Sequence, residues 1–201
     1  LDVTDGESIR DAVAKAGPID VLVNNAGIGW LNAVEGTPLD MARHIFETNT
    51  LGTIATMQAV LPAMRERRSG VIVNVSSSTT LAPMALLSVY AASKAAVNML
   101  TQSAALELAE FGIRARVVLP GAAPTTSFGN SARALIGRNS GFPEAYGDFV
   151  GKTMETMQQH AAGPVTTAED VAEAVLRAAT DPDCPMMLPA GADAKALAAK
   201  G

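Results

Sequence analysis

Three apolar runs, "IDVLVNNAG", "GVIVNVSS" and "IRARVVLPG", each stop at a turn of small or polar residues. Segments with apolar residues at helical spacing lie between them. Runs this short and this continuously apolar suit parallel strands covered on both faces. Alternation with helices predicts an α/β protein built on a parallel sheet. In such open sheets ligands bind beyond the carboxyl ends of the strands. "NNAG", "SSS" and "PGAAPT" each follow such an end, so they are expected to gather along one rim.

The helical segments can be placed. Residues 6–16, "GESIRDAVAKA", follow an Asp/Thr/Asp opening that can cap a helix. From Leu39 to Met64 the apolar positions Leu39, Ile45, Phe46, Ile54, Met57, Val60 and Leu61 keep helical spacing. Pro62 is expected to kink or end that helix, because it lacks an N–H. Asn49, between Thr48 and Thr50, sits mid-segment as a poor helix former and predicts local weakness. Another helix begins in "VYAASKAAVNML" and runs to about Phe111, where Gly112 suits a C-terminal cap. Residues 125–163 mix helix and loop; Thr167 caps an amphipathic helix over "AEDVAEAVLRAAT", and "PMMLPAG" can form a last short strand. No repeat or Pro/Gly linker divides the chain, so residues 1–201 are expected to form a single domain.

Composition narrows the function. With 48% hydrophobic and 17% charged residues the chain is globular in character. A net charge of −5 argues against a nucleic-acid partner. The basic stretch "MRERRSG" reads as a solvated helix end. No apolar run reaches the ~20 residues of a membrane span. The single cysteine, Cys184, has no partner for an internal disulfide, which points to a reducing, cytoplasmic setting. His44 and His160 lack companions at metal-ligand spacing, so no metal site is expected.

Tyr90 and Lys94 stand four apart and share one helix face, among alanines that leave room for a flat ligand. A free phenol, with a pKa near ~10, is a poor base at neutral pH. A close ammonium is expected to lower that value by roughly 1–3 units and make the phenol a usable proton donor and acceptor. The same spacing also occurs on ordinary surface helices. Ser76, Ser77 and Ser78 end a strand a short way upstream, where a hydroxyl can donate to a substrate oxygen or simply close a turn.

Taken together, "LDVTD", "VLVNNAG", "NTLG", "VNVSSS", "YAASK" and "LPGAAPT", in this order, resemble the short-chain dehydrogenase/reductase family. The match is close over residues 1 to about 126 and looser beyond, and it leans toward the hydroxysteroid- and retinol-dehydrogenase-like branch. The resemblance implies a Rossmann-like doubly wound parallel sheet with a substrate-loop region at approximately 125–163. It implies that Tyr90 is the general acid/base, that Lys94 lowers its pKa and holds the nicotinamide ribose, and that Ser77 orients the substrate oxygen. Ser76 and Ser78 are register alternatives. Asn49 is implied as a fourth member, tied to a proton relay through water. For the cofactor, NAD or NADP, the resemblance places Asp2 and Val3 near the adenine. It places Asn24, Asn25, Ala26 and Gly27 along the adenine ribose, and Pro120, Gly121, Ala123 and Thr125 at the nicotinamide.

The family's Gly-rich phosphate loop would precede "LDVTD". The resemblance therefore implies that roughly 60 residues, two βα units of about 30 each, stand upstream together with the residue that selects NAD or NADP. It also implies an exposed sheet edge on "VLVNN". The expected activity is interconversion of a carbonyl and a secondary alcohol on a small apolar substrate, by a protein that is a homodimer or homotetramer when complete. The alternatives are a non-catalytic nucleotide-binding relative, or an inactive piece acting only within an assembly. Trp30, Met84, Leu86, Leu87, Phe128 and Phe142 are candidates to line the substrate pocket, Trp30 foremost, with core packing as the competing explanation.

Overall fold

A computed structural model describes residues 1–124, 126, 128, 129, 131, 132, 135, 141–161, 163 and 165–200. The expectations for Thr125 and for the His160 side chain fall outside what is described. Helix α1 (Gly6–Ala16) opens on Asp5, whose carboxylate accepts from the Glu7 N–H at 2.9 Å. Strand β1 (Val21–Asn24) leads through a long loop to α2 (Leu39–Phe46) and α3 (Gly52–Arg67). Strand β2 (Gly70–Val75), helix α4 (Ser88–Ala109) and strand β3 (Ile113–Pro120) follow. Beyond them come α5 (Gly147–Ala161), α6 (Ala168–Thr180), β4 (Met187–Ala190) and α7 (Ala192–Ala198).

The four strands pair in the order β1-β2-β3-β4, every pair parallel. Parallel neighbours need crossovers, and helices provide them. One face of the sheet packs Ile72, Ile113 and Ala115 against Met57, Val60 and Met64 of α3 and Ala104 and Leu108 of α4. The other packs Val71, Val73 and Val118 against Ala178 of α6, with Cys184, Leu188 and Ala190. This is the Rossmann-like α/β arrangement that the alternation of elements predicts.

Coverage is uneven. In β1, Val21 and Val23 pair with Val71 and Val73 yet remain 41% and 40% exposed. The strand is an edge, as the resemblance implies, and the expectation of strands covered on both faces fails there. Pro62 neither kinks the chain to a stop nor ends α3, which continues to Arg67. Buried Met57, Val60 and Met64 seat the helix on the sheet on both sides of the proline, and packing offsets the lost backbone hydrogen bond. The weakness predicted around Asn49 takes a definite form. Between α2 and α3 the backbone widens into a π-turn over Glu47–Leu51, a feature that tends to mark functional positions.

Candidate active site

The rim is formed where β1, β2 and β3 end. The π-turn brings Asn49 to it, and α4 brings Tyr90 and Lys94 in its first two turns. Asn49 is 0% exposed. Its Oδ1 accepts from the Ile28 N–H at 2.8 Å, and its Nδ2 donates to the Ile28 carbonyl at 3.0 Å and to Ser93 Oγ at 3.0 Å. Ser93 in turn donates to the Tyr90 carbonyl at 2.7 Å. The amide thus clips the loop after β1 to the helix carrying the tyrosine. Burial makes each of these bonds costly to lose.

Lys94 is 4% exposed, and its Nζ donates to the Val75 carbonyl at 3.0 Å. Gly27 faces the same place. A Cβ there would lie 3.2 Å from both Lys94 Nζ and Asn49 Oδ1, a tight contact that would push one of them aside by a few tenths of an ångström. Ser76 Oγ donates to the Lys94 carbonyl at 3.0 Å, a structural task that leaves Ser77 as the serine facing the tyrosine. Ser77 lies close enough to Tyr90 to favour the ionised phenol. Ser77 Oγ also accepts from the N–H and hydroxyl of Thr79, at 3.2 and 3.0 Å. Of the three serines, Ser77 is therefore the one whose side chain acts on the phenol.

The electrostatics correct one expectation. Burial pushes the Tyr90 phenol above its ordinary value, with Ser77 opposing it, and no lowering by the lysine appears. Burial also lowers Lys94 to about 8. Helical spacing predicted that the cation would acidify the phenol; enclosure of both groups is the larger effect, because low polarizability penalises each charged form.

The residues expected to meet a cofactor divide. Val3, Asn24 and Ala26 line a small, shallow cleft with Thr48, Gly52 and Thr53. Asn25 and Ala26 are exposed along the turn. The Asp2 carboxylate folds back on its own backbone, accepting from the Thr4 N–H at 2.9 Å and the Thr4 hydroxyl at 2.7 Å. Those bonds hold it below the usual carboxylate range, and Asp2 is not among the residues lining the cleft. Pro120, Gly121 and Ala123 lie at the end of β3 on the same rim.

Among the apolar candidates, Phe128 approaches the tyrosine, with ring centroids 6.0 Å apart. It also sits over Gly29, where a Cβ would meet Phe128 Cζ at 2.9 Å. Trp30 does not line the pocket. It is buried with Met41 and Ile45 of α2, and its Nε1 donates to Thr37 Oγ1 at 3.0 Å. Leu86 is likewise buried, in a left-handed backbone conformation (φ 65°). Met84, Leu87 and Phe142 are half-buried. Sequence reasoning missed Ser93 and a polar relay beneath the rim. In that relay Thr56 donates to Asn24 at 2.7 Å, Asn24 to Asn74 at 2.9 Å, and Asn74 to Thr101 at 2.8 Å. The readable signal was a set of polar residues inside otherwise apolar strands and helices, where each needs a partner.

A parallel sheet with helices on both faces and a buried serine–tyrosine–lysine cluster at its rim places the molecule among the dinucleotide-fold α/β proteins. More narrowly, the chain belongs to the short chain dehydrogenase family, whose family model matches residues 1–135. It is 42% identical over 123 residues to retinol dehydrogenase 8 of Bos taurus, an alignment covering 60% of this chain and 39% of that protein. The chain thus spans less than half the length of that relative. A short-chain dehydrogenase from Streptomyces avermitilis superposes with a TM-score of 0.80 at 36% identity, over 100% of this chain and 72% of the other. One from Burkholderia cenocepacia, solved in complex with NADP, gives 0.73 at 28% identity, over 99% and 70%.

Proposed function

We propose that this chain carries the proton-transfer half of an NAD(P)-dependent oxidoreductase that interconverts a carbonyl and a secondary alcohol. The observation that carries the reading is the buried Tyr90 phenol, with Ser77 near enough to act on its acidity and the buried Lys94 one helical turn away. A raised phenol pKa keeps Tyr90 protonated at neutral pH, the state needed to donate to a carbonyl oxygen. Ser77 holds that oxygen with a hydrogen bond that strengthens as negative charge develops on it. Ser93 and Asn49 keep Tyr90 from shifting along the helix axis.

The residues present fit a nicotinamide dinucleotide. Lys94 uses one of its three N–H donors on Val75, leaving two for vicinal ribose hydroxyls. The close approach at Gly27 and the cleft at Val3, Asn24 and Ala26 offer a floor without bulky side chains. When bound, the dinucleotide supplies or accepts the hydride. The NADP complex of the Burkholderia cenocepacia relative supports the class of cofactor, with NAD and NADP both admissible. Phe128 beside Tyr90 supports an apolar substrate.

We read residues 1–201 as one domain, since a single sheet draws strands from both ends of the chain. Residues 125–163 are its substrate region. Among the described residues no helix is long and apolar enough to cross a membrane. Exposed Met99 and Leu106 on α4 support self-association into a homodimer or homotetramer.

The test is Tyr90→Phe in the full-length protein, assayed with NADH and NADPH against small apolar ketones and aldehydes. Turnover is expected to fall by roughly 10²–10⁴-fold, with dinucleotide affinity unchanged. Turnover near that of the parent protein would sink the mechanism.

A further inference from the structure

After Pro120 the chain leaves β3 and both peptide groups of Ala122 are engaged. Its N–H donates to Asp193 Oδ2 at 2.7 Å, and its carbonyl accepts from the Thr166 N–H at 3.0 Å. The Gly121 N–H is shared between the Ala190 carbonyl and Thr166 Oγ1, both at 3.1 Å. Thr166 is 1% exposed. Its hydroxyl lies 2.6 Å from Asp193 Oδ1 and 3.0 Å from the Ala190 carbonyl. One proton cannot serve both acceptors, and the shorter, charge-assisted bond to the carboxylate is the stronger. Asp193 thus binds two segments at once: the loop leaving β3, and the residue before the Thr167 cap of α6.

Two glycines make this junction possible. A Cβ on Gly121 would overlap the Asp193 carboxylate, and one on Gly191, at φ 90°, would overlap Thr166 Oγ1. The carboxylate therefore sits directly against the Gly121 backbone, in space a side chain at that position would occupy. Asp193 lies 71 positions from Ala122 in sequence, and the reaction as proposed gives it no role.

We propose that Asp193 is a positioning residue: with Thr166 it sets the course of the loop after β3, and so presents the backbone at Ala123 to the nicotinamide end of the cofactor. This rests on the proposed dinucleotide-dependent function and on the family resemblance that places Ala123 at the nicotinamide. The prediction is selective. Loss of Asp193 weakens binding of the dinucleotide, yet leaves binding of its nicotinamide-free part as it was.

The experiment is calorimetric titration of the full-length protein with NAD⁺ or NADP⁺ and with the matching ADP-ribose or its 2′-phosphate. Asp193→Ala is expected to weaken the dinucleotide about tenfold, the scale of losing hydrogen bonds to a half-buried charged acceptor. ADP-ribose affinity is expected to stay within about twofold of its starting value. Asp193→Asn should restore most of the loss. Its Oδ1 can still accept from Ala122, while Thr166 accepts from Nδ2 and donates to Ala190 instead. Equal weakening of both ligands, or of neither, overturns the proposal, as does failure of the asparagine to rescue. If Asp193→Ala does not fold, Thr166→Val must shift the same affinity ratio in the same direction; an unchanged ratio overturns it equally. A parent protein that binds the two ligands alike, or a Tyr90→Phe variant that keeps its turnover, overturns the underlying reading instead.

Discussion

Asn49, Ser93 and Lys94 are sealed between a π-turn, a strand end and a helix, whereas Asp2, Asn25 and Ala26 lie exposed beside the turn that follows β1. Every polar atom described above in the first group has a partner within the protein. In the second, Asp2 satisfies itself locally through Thr4. The end proposed for proton transfer is organised by the protein's own hydrogen bonds; the end proposed for the nucleotide is a shallow, exposed surface. Preorganisation has its value where charge develops during reaction. A binding surface can be finished by its ligand, at some cost in ordering.

This contrast sets the order of expected effects. Tyr90→Phe strikes the organised end and should be the largest, read in turnover. Next is Lys94→Met, read in the pH dependence of stability. Folding lowers Lys94 from 10.5 to about 8. Between those values the unfolded chain holds a proton that the folded one lacks, so stability rises with pH across the window. The span is worth on the order of 3 kcal/mol. Tyr90, raised by burial, works the other way, favouring the folded state less as pH climbs beyond 10. Urea titrations at stepped pH should show the rise from about 8 toward 10 in the parent and a flatter profile in Lys94→Met. A profile identical in both would mean that the lysine is not enclosed.

Ser93→Ala should come third, at about 1–3 kcal/mol in urea unfolding. It removes an acceptor from Asn49 and a donor from the Tyr90 carbonyl, and it should lower turnover without moving substrate KM. Asn25→Ala, on the open side, should stay within about 0.5 kcal/mol. If Asn25→Ala destabilised the fold more than Ser93→Ala, the contrast between the two ends would fail.

Much of this was legible beforehand. The apolar runs and their turn residues predict the sheet and its rim, and the Thr-Asn-Thr interruption predicts the weak point that becomes the π-turn. Tyr90 and Lys94 share a helix face because their spacing requires it. Other features were not legible. Trp30 reads as pocket lining from its place after a turn, but α2 folds Met41 and Ile45 over it. Pro62 reads as a break, but sheet packing carries α3 through it. Ser93 has no signal apart from its partner 44 positions away.

By itself the sequence determined the order of elements and the turn chemistry at each strand end, because these follow from local backbone preference and side-chain period. Only the tertiary structure decided that the phenol is held less acidic than usual and that the loop after β3 is tied to Asp193. Desolvation and long-range hydrogen bonds depend on which distant segments close over a group, and no local spacing encodes that.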